Sequence, residues 1–421
     1  MKRDLRLART GVSILALLYL VPFLRGQADT KPATPIGRVE VYLQKGRFAR
    51  GEADLLERLK DSPKDDQTRF GLGVLQFVRA IEHLGQSLYR YGLRSDRGQQ
   101  LNIPFLRLPI PTNPKPEACT YRAIRKVFDD LIADLNKAEA SLADVHDEQI
   151  KLPLHPGSIR LDLVGDGKSA ERFHTILTRY LGGGRNVLKE EELIVFDRGD
   201  VAWLRGYCHL LAALAEFFLA HDGQELFDCT GFIFFAKAET PHKFLNTLPE
   251  TPDGFFNTGG VDLVDIISFI HLVRLPVKEP KRMQAALDHL EKMLALSKES
   301  WRFILAEKDD DHEWIPNPRQ KGVLGIRVNQ RMVDSWLEFV NEAAAILSGK
   351  RLIPFWRGKE ERGINLRRVF TEPRAFDLVL WVQGTAATPY LEKGPLTKSE
   401  VWTRLQRVFG GDFIGFAIWF N

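Results

Sequence analysis

Cysteine is scarce in this sequence, and its scarcity excludes one way of holding a fold together. Cys119, Cys208 and Cys229 are the three cysteines among 421 residues, too few and odd in number for a disulfide framework. A bond between Cys208 and Cys229 stays open, although the leucines around Cys208 favour a buried thiol. The chain must therefore fold around a hydrophobic core.

Long apolar runs and net charge are also missing beyond the first 28 residues. No later stretch approaches the roughly 18 uninterrupted apolar residues of a membrane-spanning helix, so we expect a mature chain that does not span a membrane. The chain has 59 basic and 55 acidic residues, and the first 28 hold five and one of these, which leaves 54 of each. A neutral chain has no overall field that attracts phosphate backbones. We therefore expect no nucleic-acid partner.

The first 28 residues have the three-part order of a secretory signal. A basic stretch precedes the apolar run 12–24, and Gly26 and Ala28 place small residues where a signal peptidase reads. We predict export to the periplasm or the cell exterior, with cleavage after Ala28. A retained N-terminal anchor is the alternative.

Apolar periodicity predicts a mainly α protein of stacked antiparallel helical hairpins, similar to an α-solenoid. The signal at 1–28 is followed by a hairpin region over 29–103, with its hairpin at 46–93. A proline-rich connector over 104–117 then leads to a main helical domain over 118–421. In this domain helices are predicted at 121–145, 169–181, 200–220, 263–272, 281–306 and 329–347. Near the C-terminus, 376–382 and 413–420 predict a small β element, with buried helices as the alternative.

The hairpin resembles one tetratricopeptide repeat. Leu72-Gly73 looks like that family's Leu-Gly pair, and Gly85, Tyr89 and Gly92 match its small, bulky and small positions. A closely packed hairpin of any kind also needs small residues, so both interpretations stay open. As a whole the chain resembles uncharacterised exported helical proteins of bacteria, which implies export and a helical fold and no activity.

The segment 162–168 resembles the opening of an EF-hand or dockerin calcium loop. The resemblance implies that Asp162 and Asp166 supply carboxylate oxygens and Lys168 its backbone carbonyl. Apolar residues hold the third and twelfth positions of the loop, so we expect affinity for calcium no better than about 10⁻⁴ to 10⁻³ M. The alternative is a glycine-rich turn that caps a helix beginning at residue 169, without any cofactor.

Three other polar groups have simpler interpretations. Asp200, in the sequence Arg198-Gly199-Asp200, is predicted to be the N-cap of the next helix. His209 and His221 would lie about 18 Å apart on one helix and cannot share a metal ion. The acidic run 309–313 is predicted to be a mobile, solvated loop.

Motifs of common enzyme classes are absent from the sequence, including the nucleophile elbow, the zinc-protease helix and the dinucleotide fingerprint. The first hypothesis is therefore a non-catalytic helical scaffold or binding protein of the cell envelope, with an unknown protein or envelope component as partner. The alternative is a hydrolase of an envelope or extracellular polymer that uses dispersed carboxylates. A pocket with two carboxylates and Trp314, Trp336 or Trp356 would favour the hydrolase, and a concave polar face would favour the binding protein.

Overall fold

A computed structural model describes residues 38–95, 109–180, 188–247, 263–325, 327–357, 361–409 and 417. This part of the chain is mainly helical with a few short strands, which confirms the predicted fold class. The helices are α1 Arg38–Gln44, α2 Phe48–Asp61, α3 Asp66–Arg90, α4 Tyr121–Ala143, α5 Phe173–Tyr180, α6 Arg198–Ala220, α7 Gln224–Phe234, α8 Leu263–Leu272, α9 Pro280–Ala306, α10 Gln330–Leu347, α11 Leu366–Thr371, α12 Leu378–Gln383 and α13 Ser399–Phe409.

The strands are short: β1 Leu152–Leu154, β2 Arg160–Leu161, β3 Glu171–Arg172, β4 Ile194–Phe196, β5 Arg274–Leu275, β6 Ile353–Pro354, β7 Gly363–Ile364, β8 Phe376–Asp377 and β9 Leu391–Glu392. They pair in small antiparallel sheets: β1 with β4, β2 with β3, β5 with β8, and β6, β7 and β9 in a sheet of three. None of the described helices combines the length and the apolar character that crossing a membrane requires.

Helices α3, α4, α6 and α9 form a row in which each helix runs antiparallel to the next. In each pair of neighbours, residues near the start of one helix contact residues near the end of the other. The contacts that fix these directions are Gln76–Ser141 and His83–Asp134 between α3 and α4, Arg125–Leu219 and Arg205–Glu139 between α4 and α6, and Arg282–Glu216 and Arg198–Glu299 between α6 and α9. The start of α6 and the end of α9 therefore lie side by side.

Two glycines of α3 allow this close packing. A Cβ atom at Gly73 would overlap the side chain of Leu142, and one at Gly85 would lie 2.6 Å from Cδ2 of Leu163. Of the residues that carry the tetratricopeptide resemblance, those from Leu72 to Tyr89 lie on this single helix and Gly92 follows its end. Close packing thus accounts for both glycines, and membership of that repeat family stays a resemblance.

One predicted helix start is wrong, and the segment 376–382, for which strand and buried helix were the alternatives, divides between a strand and a helix. Helix α5 begins at Phe173 rather than at residue 169, because Glu171–Arg172 pairs as a strand with Arg160–Leu161. Of the segment 376–382, only the first two residues form a strand, and α12 follows because Asp377 caps it by accepting from the backbone N–H of Leu380. The segment 413–420 lies outside the described residues except for Ala417, and 1–28 lies outside them entirely.

The connector and two of the cysteines, Cys119 and Cys208, contribute to the same core. The described part of the connector, from residue 109, has no helix, and its Ile110 joins a core that also contains Phe70 of α3 and Leu135 of α4. Side chains from both sides of the predicted division at 104–117 therefore share one core. Cys208 and Cys229 are both free thiols, so they do not pair.

Candidate functional site

Carboxyl groups converge where α6 begins and α9 ends. Asp197 is the N-cap of α6, Glu307 is the C-cap of α9, and Glu313 lies in the loop that follows α9. One oxygen atom of each residue lies within 4.8 Å of those of the other two. Asp200 lies one helical turn from Asp197, and we call Asp197, Asp200, Glu307 and Glu313 the carboxylate cluster.

A capping box brings the first two carboxylates together. Oδ1 of Asp197 accepts from the N–H groups of Gly199 at 2.7 Å and Asp200 at 3.3 Å. Oδ2 of Asp200 accepts from the N–H of Asp197 at 3.0 Å. The predicted N-cap was thus wrong by three residues: Asp200 is the reciprocal partner within the helix, because the Asp-x-x-Asp spacing lets each side chain reach the other's backbone.

Burial keeps protons on the cluster. Burial and the neighbouring Asp197 carboxylate raise the pKa of Glu307 to about 10, and burial raises the pKa of Glu313 to about 7. Burial, and then Asp197, raise the pKa of Asp200 well above its ordinary value. At neutral pH the cluster therefore holds carboxylic acids as well as carboxylates.

The hydrogen bonds that the two glutamates accept offset only part of the effect of burial on their pKa values. Oε2 of Glu307 accepts from Nε2 of Gln320 at 3.1 Å, but its buried Oε1 has no donor in the described part of the chain. Glu313 is 4% exposed, and its Oε1 accepts from the N–H of Asp311 at 3.0 Å. The prediction of a solvated loop at 309–313 is therefore wrong for Glu313, which this turn folds inward.

Aromatic residues lie close in the sequence to three members of the cluster: Phe196 precedes Asp197, Trp203 follows Asp200 by three residues, and Trp314 follows Glu313. The ring of Trp314 lies 5.6 Å from that of Trp203 and 6.0 Å from that of Phe196, so the three rings pack on one another. In the loop that carries Glu313, Lys151 pairs with Asp309 and, at 3.3 Å, with Asp311.

This arrangement has two chemical capabilities. Three oxygens within 4.8 Å of one another can surround a hard cation, whose oxygen ligands lie at about 2.3–2.6 Å. Neighbouring carboxyl groups with separated pKa values can also act as acid and base. Two surface cavities of the described chain, one beside α10 and one between α3 and α4, contain no residue of the cluster.

The larger of these cavities is a groove between α3 and α4, which we call the α3–α4 groove. Its volume is about 650 Å³, and the connector and the loop 162–168 also contribute to its lining. Its charged walls pair across short distances: Nδ1 of His83 with Asp134 at 2.9 Å, Lys126 with Asp130 at 2.8 Å, and Arg90 with Glu117 at 4.0 Å. The groove is therefore polar and carries both signs of charge.

The predicted calcium loop lies at the edge of this groove, to which Val164 and Gly165 contribute. Oδ1 of Asp162 accepts from the N–H of Gly165 at 2.8 Å, and Oδ2 accepts from that of Gly167 at 2.7 Å. Oδ1 of Asp166 accepts from the N–H of Lys168 at 2.8 Å. The loop's own backbone thus occupies both carboxylates, as a structural turn requires.

The loop is fixed to α3 by two further bonds. The N–H of Asp162 donates to Oε1 of Glu82 at 2.7 Å, and Nε2 of Gln86 donates to the backbone carbonyl of Asp162 at 2.9 Å. Glu82 is buried, and burial raises its pKa to about 7. The position of the loop therefore depends on a buried side chain of α3.

The remaining candidate residues lie apart. His209 contacts His289, with their Nδ1 atoms 2.8 Å apart, whereas Nδ1 of His221 bonds the carbonyl of Phe217. Trp336 is buried and donates to Ser297, and Trp356 is 51% exposed on another face. Of the three tryptophans proposed as platforms, Trp314 is the one beside the clustered carboxylates.

Comparisons of the chain with protein-family models, with curated proteins and with solved structures give no match. The carboxylate cluster and the α3–α4 groove are therefore the two sites from which a function is proposed.

Proposed function

We propose that the protein is a non-catalytic helical binding protein of the cell envelope, exported by the signal at 1–28. The observation that supports this function is the α3–α4 groove, a concave polar surface of about 650 Å³ between two long helices. The gathered carboxylates lie outside it. A stack of tetratricopeptide-like hairpins would offer a groove of this kind.

The lining of the groove indicates the chemistry of its ligand. The pairs that line the groove are His83 with Asp134 and Lys126 with Asp130, and their side chains are partly exposed. A ligand group can therefore replace one hydrogen bond of a pair without leaving an unpaired buried charge. Tyr89 adds an aromatic surface. The groove suits a polar chain rich in donors and acceptors, such as a glycan of the envelope or a segment of a partner protein.

Co-sedimentation with isolated cell-wall material of the host tests this function. The double variant Arg90→Ala, Lys126→Ala removes two groove donors, and Lys60→Ala removes a lysine that is 71% exposed on α2. We expect the groove variant to bind at least about tenfold more weakly and Lys60→Ala to bind as the parent does. Equal retention of all three proteins, or none, contradicts the proposal.

A hydrolase remains the second candidate because Trp314 lies beside carboxyl groups with separated pKa values. Its test is release of soluble products from envelope polymers by the parent and by Glu313→Gln. Turnover that Glu313→Gln abolishes would overturn the non-catalytic proposal.

Calcium binding by Asp162, Asp166 and Lys168 stays a prediction. The hydrogen bonds within the loop favour the competing interpretation, a structural turn at the edge of the groove. A melting experiment given in the Discussion separates the two.

A further inference from the structure

Large apolar side chains are exposed mainly on one face of the described chain. Nine of the thirteen such side chains lie on the segments 243–247, 263–275, 354–357 and 374–383. Their exposed fractions run from 43% to 70%. We call these four segments the apolar face.

The four segments form one continuous surface. Helix α8 contacts α12, and the strands that flank them pair Arg274 with Asp377. Nε1 of Trp356 donates to the carbonyl of Val382 at 3.3 Å. Leu245 and Ile266 pack on the same small core cluster. The exposed apolar groups are therefore neighbours in space.

Helix α8 is apolar on its outer side as well as on its inner side. Inward, the ring of Phe269 lies 5.7 Å from that of Phe234. Outward, Leu263, Ile267 and Ile270 are 44%, 57% and 43% exposed. A helix that is apolar on both sides is normally covered on both sides.

Helix α12 repeats this pattern. Its Trp381 stacks on Tyr390 with ring centroids 6.1 Å apart, while Val379 and Val382 are 49% and 70% exposed. Monomeric soluble proteins rarely expose apolar patches larger than a few hundred Å² without an interaction partner.

The exposed charges of the apolar face are basic, although one of them, Arg274, lies 3.9 Å from the half-buried Asp377. Within its four segments the exposed charged side chains are those of Lys243, Arg274, Arg357 and Arg374, all basic. The acids of these segments, Asp265 and Asp377, are half-buried. A second copy of the chain that met this face through a two-fold axis would bring like charges together, which disfavours self-association.

We propose that the apolar face docks on the surface of an anionic lipid bilayer. The side chains of α8 and α12 enter the boundary of the acyl chains, and the four basic residues meet lipid phosphates. The exposed side chains of α8 and α12 are mainly apolar and the exposed charges beside them are basic, which matches the acyl and phosphate layers of an anionic lipid surface. The face shares no residue with the α3–α4 groove, so docking is independent of the ligand proposed there.

Vesicle flotation of the full chain, as its host processes it, tests the proposal. The vesicles contain phosphatidylcholine alone or phosphatidylcholine with phosphatidylglycerol. The double variant Ile267→Asp, Val382→Asp changes exposed positions of the face, and Leu56→Asp is a matched control on α2, 42% exposed. We expect the parent and the control to float with anionic vesicles and the double variant to bind at least about tenfold more weakly.

Two single variants test the proposal even if the double variant fails to fold. Arg274→Gln and Arg357→Gln should each weaken binding to anionic vesicles by about fivefold and leave binding to neutral vesicles unchanged. The proposal is overturned if the parent does not float. It is also overturned if the variant Ile267→Asp, Val382→Asp floats as the parent does. A third contradicting result is that the variants of the face alter the sedimentation of the protein without vesicles but not its binding to vesicles, which would indicate a dimer.

Discussion

The carboxyl group of Glu307 lies against the carboxylate of Asp197, and the buried Oε1 of Glu307 has no donor in the described part of the chain. Two carboxylates in this position repel each other, whereas a protonated Glu307 can donate to Asp197. Glu307 is the C-cap of α9 and Asp197 is the N-cap of α6, so this contact connects the ends of two antiparallel neighbours. It makes the stability of this helix pair depend on pH.

The variant Glu307→Gln should reduce that dependence. The pKa of Glu307 is about 10 in the folded chain and near 4.5 when unfolded, so the parent loses stability as pH rises between these values. The amide donates to Asp197 without a proton to lose. We expect urea unfolding to show that the variant's free energy of unfolding, relative to the parent's, is higher at pH 8 than at pH 5 by about 1 kcal/mol or more. The same pH slope in parent and variant would contradict the buried contact.

The histidine pair between α6 and α9 should act in the opposite direction. Burial and His209 lower the pKa of His289 to about 4, from an ordinary 6.5, so its contribution is lost as pH falls through this range. We expect His289→Gln to make unfolding less sensitive to acid between pH 7 and pH 4. The exposed His146→Gln is the control and should unfold as the parent does at each pH.

Alanine at Gly73 should destabilise the row of helices. Its Cβ would overlap Leu142, at an expected cost of about 1–3 kcal/mol, although alanine favours an isolated helix. At Gly223 an added Cβ makes contacts of 3.5 Å or more, so Gly223→Ala is the control. Chemical denaturation measures both variants, and equal stabilities would show that α3 and α4 can separate without cost.

Melting with millimolar calcium or with chelator separates the two interpretations of the loop 162–168. A calcium site predicts a rise of a few degrees for the parent, from about 1.4 kcal/mol at ten times the dissociation constant, and no rise for Asp162→Ala. A structural turn, which the hydrogen bonds favour, predicts that Asp162→Ala melts lower by the same amount in both solutions.

The sequence predicted the long helices well because their apolar spacing directly reflects the face that each one buries. Helix α4 was predicted within two residues of its end, and α10 within one residue of its start. Short elements depended on local contacts that periodicity does not encode: Asp377 caps α12, and Glu171–Arg172 pairs as a strand.

The carboxylate cluster was only partly predictable. The Asp197-x-x-Asp200 spacing is a visible capping-box signal. Glu307 and Glu313 join Asp197 only because α6 and α9 are antiparallel neighbours, although α6 ends at Ala220 and α9 begins at Pro280. The α3–α4 groove is likewise lined by two helices, the connector and the loop 162–168, and no single segment indicates it.

Amide hydrogen exchange with and without isolated envelope material tests the proposed binding function most directly. A groove that binds its ligand predicts slower exchange in α3 around residues 83–90, in the connector at 113–117 and in α4 at 126–134. The Arg90→Ala, Lys126→Ala variant should lose this protection. Protection confined to other regions, or none in the parent, would contradict binding in the α3–α4 groove.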